Sequence, residues 1–311
     1  MVIDANFYMS LAIKEAWKYQ GLTYPNPAVG CSVIGSHGEI LAVEAHHKAG
    51  TPHAEVNALK QAYYKLTNDK TALHVENSAE IHKFLIQNHN NIFADCSIYT
   101  TLEPCSSIGK TPACANLINE LKIKKVYIGS SDSYQDDFKN AEFGILEKEC
   151  DNLLEPFNLW QKDKFVFFKW AQRLDGSTNG KVSSLISRTN VHAMRDVCDL
   201  LVIGGNTVRV DRPTLDARLV NGNAPDILIY SRQKEFDKTI PLFNVSNRKV
   251  IISDSLDIVN NYKNIMIEGT QNMMDLTKNI VNFKLCYLHV ADKFESLNIE
   301  QDDEDIISWL K

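Results

Sequence analysis

Several features are missing from this sequence, and each absence removes a class of protein. No apolar run approaches the roughly 20 residues that a membrane-spanning helix needs. Basic residues do not prevail: 33 Lys and Arg stand against 39 Asp and Glu, a formal net charge of −6. That balance argues against a surface built for nucleic acid. The N-terminal stretch MVIDANFYMSLAIKEAWK has no basic segment ahead of an apolar one. It reads as a helix capped by Asp4 and not as a signal peptide, so a cytoplasmic location is the expectation. There is no even, clustered set of cysteines: the seven present (Cys31, Cys96, Cys105, Cys114, Cys150, Cys198 and Cys286) are scattered and odd in number. They make a poor disulfide framework, and most are expected to be small buried hydrophobes. No G-x-G-x-x-G fingerprint occurs, which removes support for a Rossmann dinucleotide site. Internal repeats and low-complexity tracts are also absent.

What is present fits a soluble α/β protein of two domains. The 311 residues are 44% apolar and 23% charged, enough for two ordinary cores. Helical spacing of apolar residues predicts a helix over 4–19. CSVIG and EILAVEA flank the turn SHG and read as a hairpin. A helix from about His53 to Leu66 follows. Residues 67–95 are polar and weakly patterned, with a short helix near AEIHKFLIQ, and read as a surface insertion. CSIYTTLE is a strand stopped by Pro104, ACANLINELK a helix and KKVYIGSSD a strand. Strands alternating with helices predict an α/β/α layered domain over residues 1–155. The stretch around 150–160 is the candidate linker. A second domain, 156–311, would be built on the strands DKFVFFKWAQ, DLLVIGG, DILIYS, KVIISD and NIMIEG, with a helix in SRTNVHAMRDV. The tail IEQDDED reads as a solvated end.

Two segments carry metal chemistry. PHAEVNALK places His53 and Glu55 two residues apart at a helix start, and EPCSSIGKTPAC supplies Cys105 and Cys114. One imidazole and two thiolates are zinc's preferred ligands, and three protein ligands leave a position for water, as catalytic sites require. Helix N-termini at both segments favour thiolate over thiol. Glu55 is read as the group that handles the water's proton and not as a fourth ligand. An isolated H-x-E or a single buried cysteine would mean little. His-Ala-Glu, Pro-Cys and a later Cys in this order form the pattern of zinc deaminases.

The stretches YPNPAVGCSVI, HHKAGTPHAEVNAL, TTLEPCSSIGKTPAC and KWAQRLDG…DLLVIGGNTVRVDRPTLDAR resemble the bifunctional riboflavin-biosynthesis deaminase–reductases. Eight residues separate Cys105 from Cys114, whereas cytidine and tRNA adenosine deaminases keep two. The resemblance implies a cytidine-deaminase-like three-layer domain followed by a dihydrofolate-reductase-like α/β domain. The implied reactions are zinc-dependent deamination of a diaminopyrimidinone carrying phosphoribose, then NADPH-dependent reduction of its opened ribose. Carried over by position, His53, Cys105 and Cys114 hold Zn2+ and Glu55 is catalytic. Asn26 contacts the pyrimidine, and His46 and Lys110 face the phosphoribosyl end as cations. In the second half, Lys169, Leu215, Arg218 and Glu268 are the expected substrate residues. Ala171, Thr207 and Asp211 are expected near the cofactor, and Asp175 lies in the first reductase motif. GGNT after a buried strand reads as a plain turn or as a backbone cradle for phosphate. The expected partner is a small phosphorylated pyrimidine, with no nucleic acid and no membrane, in a homo-oligomer.

The sequence also departs from the family. Ser107 replaces a usual histidine, Lys181 replaces a usual tryptophan, and Gly269-Thr270 stand where a glycine pair is usual. These changes leave open a weakened reductase. Three rival readings follow: a deaminase with a structural or dimerising second domain, a nucleic-acid deaminase, and a non-enzymatic zinc module.

Overall fold

The structure, a computed structural model, describes residues 4–106, 111–131, 138, 140–178, 182–290 and 305–311. The chain divides into two units, Met1–Phe157 and Asn158–Lys311.

In the first unit the elements run α1 (Ala5–Trp17), β1 (Gly30–Ile34), β2 (Ile40–Ala45), α2 (Ala54–Thr67), α3 (Ser78–Asn88), β3 (Ser97–Leu102), α4 (Cys114–Glu120), β4 (Lys125–Ser130), β5 (Ala141–Phe143) and α5 (Glu147–Lys162). The sheet order is β2-β1-β3-β4-β5, with β1 antiparallel to both neighbours and β3, β4 and β5 parallel. Successive side chains of a strand point to opposite faces, and here both faces are covered. Cys31, Val33, Ile98 and Ile128 pack with Val56 and Leu59 of α2. Ile34 and Tyr99 pack on the other side with Met9 and Ile13 of α1 and Cys150 of α5. That is the α/β/α sandwich expected from the sequence. Gly30 permits the closest approach: a Cβ there would lie 1.9 Å from the carbonyl oxygen of Ala12. Asp4 caps α1 by accepting from the Phe7 N–H at 3.0 Å, and Asn68, at φ 59°, ends α2 in the left-handed conformation.

Residues 67–95 do not lie wholly on the surface. Ala72, Ile81, Leu85 and Phe93 are fully or almost fully buried and belong to the same core as α2. Polar composition hid this, because α3 turns only a narrow stripe inward: Ile81 and Leu85 are one helical turn apart. The stretch 150–160, expected as the linker, contains the boundary between the two units. It lies in α5, which carries Pro156 within it.

The second unit contains β6 (Phe165–Arg173), α6 (Leu185–Val197), β7 (Leu200–Gly204), α7 (Gly205–Asp211), β8 (Asp226–Tyr230), β9 (Val250–Ser253), β10 (Asn264–Glu268), α8 (Gln271–Thr277), β11 (Phe283–His289) and β12 (Asp305–Leu310). The sheet order is β12-β11-β6-β10-β7-β8-β9. Every pair is parallel except β11–β12. β7, β8 and β10 are almost wholly buried apolar runs, as parallel strands covered on both faces must be. The strand β10 enters between β6 and β7 and places Glu268 opposite Lys169 in register. In open sheets of this kind, ligands bind beyond the carboxyl ends of the strands. Gly204, Tyr230, Ser253 and Glu268 lie at those ends, and Lys169, midway along β6, is beside Glu268.

Candidate active sites

His53 occupies the N-cap of α2 in extended backbone (φ −69°, ψ 165°), yet its side chain does not cap the helix. The ring turns to two sulfurs: Nδ1 lies 3.6 Å from Cys105 Sγ and 3.4 Å from Cys114 Sγ. Cys114 opens α4, and its N–H donates to Cys105 Sγ at 3.4 Å. The three ligand atoms lie within 4.8 Å of one another. Tetrahedral zinc with Zn–N near 2.0 Å and Zn–S near 2.3 Å requires an N···S separation of about 3.6 Å. The donor set therefore fits zinc in both chemistry and spacing. The other ring nitrogen, Nε2, lies 3.3 Å from Thr111 Oγ1, which fixes the ring with Nδ1 toward the sulfurs. The Cys105 thiol is drawn down to about 4, first by the hydrogen bond from Cys114 and further by His53. The same contact pushes Cys114 up.

Glu55 follows on the first turn of α2 and is 3% exposed. Burial raises its carboxyl above the ordinary value. A cavity of about 180 Å³ opens over it, lined also by Asn26, His46, His53, Glu103 and Cys105. Glu103, whose Oε2 accepts from Ser131 at 2.9 Å, had no role assigned in the sequence reading.

His46 is placed in this cavity, but not as a cation. Its Nδ1 donates to the Pro52 carbonyl at 3.1 Å, since a carbonyl can only accept. Burial, the first cause, lowers its pKa to about 4, so the ring is neutral and Nε2 carries a lone pair. The Asn26 amide faces that atom at 3.0 Å. Its Nδ2 must be the donor, which frees Oδ1 as an acceptor. The charge expected of His46 is thus corrected by its burial and its hydrogen bonds. Asn57 holds the surrounding backbone by donating to Ala45 and Pro52 carbonyls. Lys110 lies outside the described residues.

In the second unit, Glu268 is the centre of a charged cluster. Its Oε1 accepts from Arg195 Nε at 3.1 Å and Nη2 at 2.7 Å. Both side chains are nearly buried, 14% and 11% exposed. Burial works against the Glu268 carboxylate, but Arg195 and Lys169 outweigh it and hold the pKa below the ordinary value. Burial lowers that of Lys169, whose ammonium lies over the Tyr287 ring at 5.4 Å from its centroid. Leu215 is buried, and Arg218 is 60% exposed with Nη1 on Asp216 Oδ1 at 2.6 Å.

Beside this cluster is a cavity of about 610 Å³, lined by Gly204, Thr207, Ser231, Arg232, Gly269 and Thr270 among others. Gly269 follows Glu268, so the cavity and the cluster meet at the end of β10. GGNT is not a plain turn: Gly204 is the N-cap of α7, Gly205–Asp211, and all four of its residues line the cavity. A Cβ at Gly205 would come within 2.6 Å of Ser231, and one at Gly269 within 2.6 Å of Met273, so both glycines keep the backbone at the cavity wall slim. Ala171 on β6 and Asp211 at the end of α7 are not among the lining residues.

Comparison with known proteins bears on both units. Residues 3–130 match the cytidine and deoxycytidylate deaminase zinc-binding region, and residues 164–307 match the RibD C-terminal domain. The riboflavin biosynthesis protein RibD of Aquifex aeolicus is 31% identical over 270 residues, covering 80% of this chain and 68% of that protein. This chain belongs to the RibD family. RibD of Actinobacillus pleuropneumoniae is also 31% identical, over 284 residues, with 84% and 68% covered. A solved structure from Thermotoga maritima superposes with a TM-score of 0.60 at 26% identity, covering 92% of this chain and 86% of that one. It is described as a diaminohydroxyphosphoribosylaminopyrimidine deaminase/5-amino-6-(5-phosphoribosylamino)uracil reductase. RibD of Acinetobacter baumannii shares the fold, with a TM-score of 0.57 at 20% identity over 98% of both chains.

As a RibD, the chain is a bifunctional enzyme of riboflavin biosynthesis, a zinc-dependent deaminase and an NADPH-dependent reductase. The dihydrofolate-reductase-like class expected for the second half agrees with this membership. Among the described residues no helix is long and apolar enough to cross a membrane. Besides Glu103, three residues that the sequence did not point to stand at the sites. Thr111 orients His53, Arg195 pairs with Glu268, and Arg248 holds the loop bearing Leu215. Thr111 could have been noticed, since it lies inside GKTPAC. The two arginines give no local signal, because their partners are distant in sequence.

Proposed function

We propose that the first unit hydrolyses the exocyclic amine of a diaminopyrimidinone carrying phosphoribose, and that the second reduces the ribosyl group of the product to ribityl. The observation that carries the first half is a buried Glu55, 3% exposed, beside a zinc-spaced set of one imidazole and two sulfurs. Zinc held by His53, Cys105 and Cys114 would supply the Lewis acidity that activates water near neutral pH. Glu55 accepts the proton released as water adds to the ring carbon, and delivers it to the departing amine, so that ammonia leaves. Asn26 presents Oδ1 to a ring N–H, because its Nδ2 is committed to His46. Lys110 is assigned to the phosphate on the resemblance alone.

In the second unit, Lys169, midway along β6, and Glu268, at the carboxyl end of β10, meet the opened ribose. Arg218 offers its exposed guanidinium to the phosphate. NADPH, lodged in the cavity lined by Thr207, would supply the hydride. Ala171 and Asp211 are assigned to its approach. The domains are taken as 1–155 and 156–311, and the active species as a homo-oligomer free of nucleic acid and membrane.

The test is a coupled assay on the purified chain. With zinc, substrate and NADPH, one ammonia should be released and one NADPH oxidised per turnover. No ammonia release contradicts the deaminase. Ammonia without NADPH oxidation contradicts the reductase and restores a structural role for the second unit.

A further inference from the structure

The backbone linking α7 to the turn at Arg218–Val220 is gripped by two guanidinium groups. Arg248, two residues before β9 proper, donates from Nη1 to the Leu215 carbonyl and from Nη2 to the carbonyls of Thr214 and Leu242, all at 2.7 Å. From α6, Arg195 Nη1 reaches the Asp216 carbonyl at 3.4 Å while its other nitrogens hold Glu268. Three consecutive carbonyls, 214 to 216, thus end on cations. The Leu242 N–H donates to Pro213 O at 3.0 Å and closes the knot.

This loop needs such a hold. Leu215 sits at φ 56° and Arg212 at φ 44°, a left-handed conformation that residues with a Cβ resist. The grip keeps Leu215 turned inward at 6% exposure and sends Arg218 outward, where Asp216 meets its guanidinium. A lysine could not replace Arg248, since a point ammonium lacks the planar fork that serves three acceptors at once.

We infer that Arg248 is a positioning residue of the reductase: it fixes the 212–218 loop so that Arg218 meets the phosphoribosyl end of the substrate. This rests on the reductase reading above. It adds a residue 30 positions from the one it positions.

The test uses the full chain with R248K, R248M, R218A and R248M/R218A. Deaminase activity in the same preparations serves as an internal control, and NADPH affinity is followed by fluorescence quenching. Both Arg248 variants should raise the reductase KM for the deaminated intermediate about tenfold or more, the scale expected when a binding group is misplaced. NADPH affinity and deaminase activity should stay within about twofold. In R248M/R218A the KM should not exceed that of R218A, because Arg248 acts through Arg218. An unchanged KM, additive effects in the double variant, or a parallel loss of NADPH affinity and of the second unit's melting transition in both Arg248 variants would overturn the inference. Failure of the unaltered chain to reduce the intermediate would instead reject the reductase reading itself.

Discussion

Replacing Glu55 by glutamine should lower ammonia release by about 10³-fold, within the range general acid–base groups contribute, while leaving one zinc per chain and NADPH oxidation with added deaminated intermediate intact. The reasoning is local. Glutamine keeps the volume of a side chain that is 3% exposed, so the cavity over α2 should not collapse. It cannot carry a proton between water and amine. The imidazole and both sulfurs lie in other positions, within 4.8 Å of one another, and do not depend on the carboxyl to converge. The check is metal analysis alongside assays of both half-reactions. Turnover within tenfold of the unaltered enzyme would show that Glu55 is not the proton carrier. Loss of zinc would show that it is a ligand.

Arg195→Met should destabilise the second unit by about 3–5 kcal/mol, the penalty for stripping one partner from a buried ion pair. Glu268 would retain Lys169, its in-register neighbour on β6, but would lose both hydrogen bonds on Oε1. The carboxyl would be driven toward its neutral form, since burial already pushes its pKa upward and Arg195 is the largest force opposing that push. For a unit of this size such a change corresponds to a fall of roughly 10 °C in melting temperature. The companion variant Arg195→Met/Glu268→Leu removes that pair but leaves the buried Lys169 without its carboxylate, so it should recover only part of the stability and have no reductase activity. Denaturant unfolding of the second unit, with deaminase activity reporting on the first, measures this. A single-variant loss below about 0.5 kcal/mol would mean that the pair is effectively solvated.

The strands β7, β8 and β10 were legible as short apolar runs because parallel strands buried on both faces leave little room for polar residues. The element β11 was not, since FKLCYLH alternates and its burial depends on the neighbours β6 and β12. The acidic tail misled for a similar reason. Asp305 looks like part of a solvated run, but it opens β12 and is 9% exposed. It is accommodated by the Ser184 N–H at 2.7 Å and His289 Nδ1 at 2.6 Å, contacts 121 and 16 residues away. The rest of that acidic run lies outside the described residues. The metal constellation was legible because helix starts impose short, recognisable spacings on His53, Glu55 and Cys114. Charge states were not. His46 reads as a cation in sequence, and only its burial against Pro52 and Asn26 makes it a neutral hinge for an amide.

X-ray absorption at the zinc edge of the purified, untagged chain would probe the central claim most directly. Two sulfurs at about 2.3 Å and two nitrogen or oxygen scatterers near 2.0 Å, with one zinc per chain, is the predicted shell. A shell of three or four sulfurs, one with no sulfur, or the absence of stoichiometric zinc would contradict the assignment of His53, Cys105 and Cys114 as its three protein ligands.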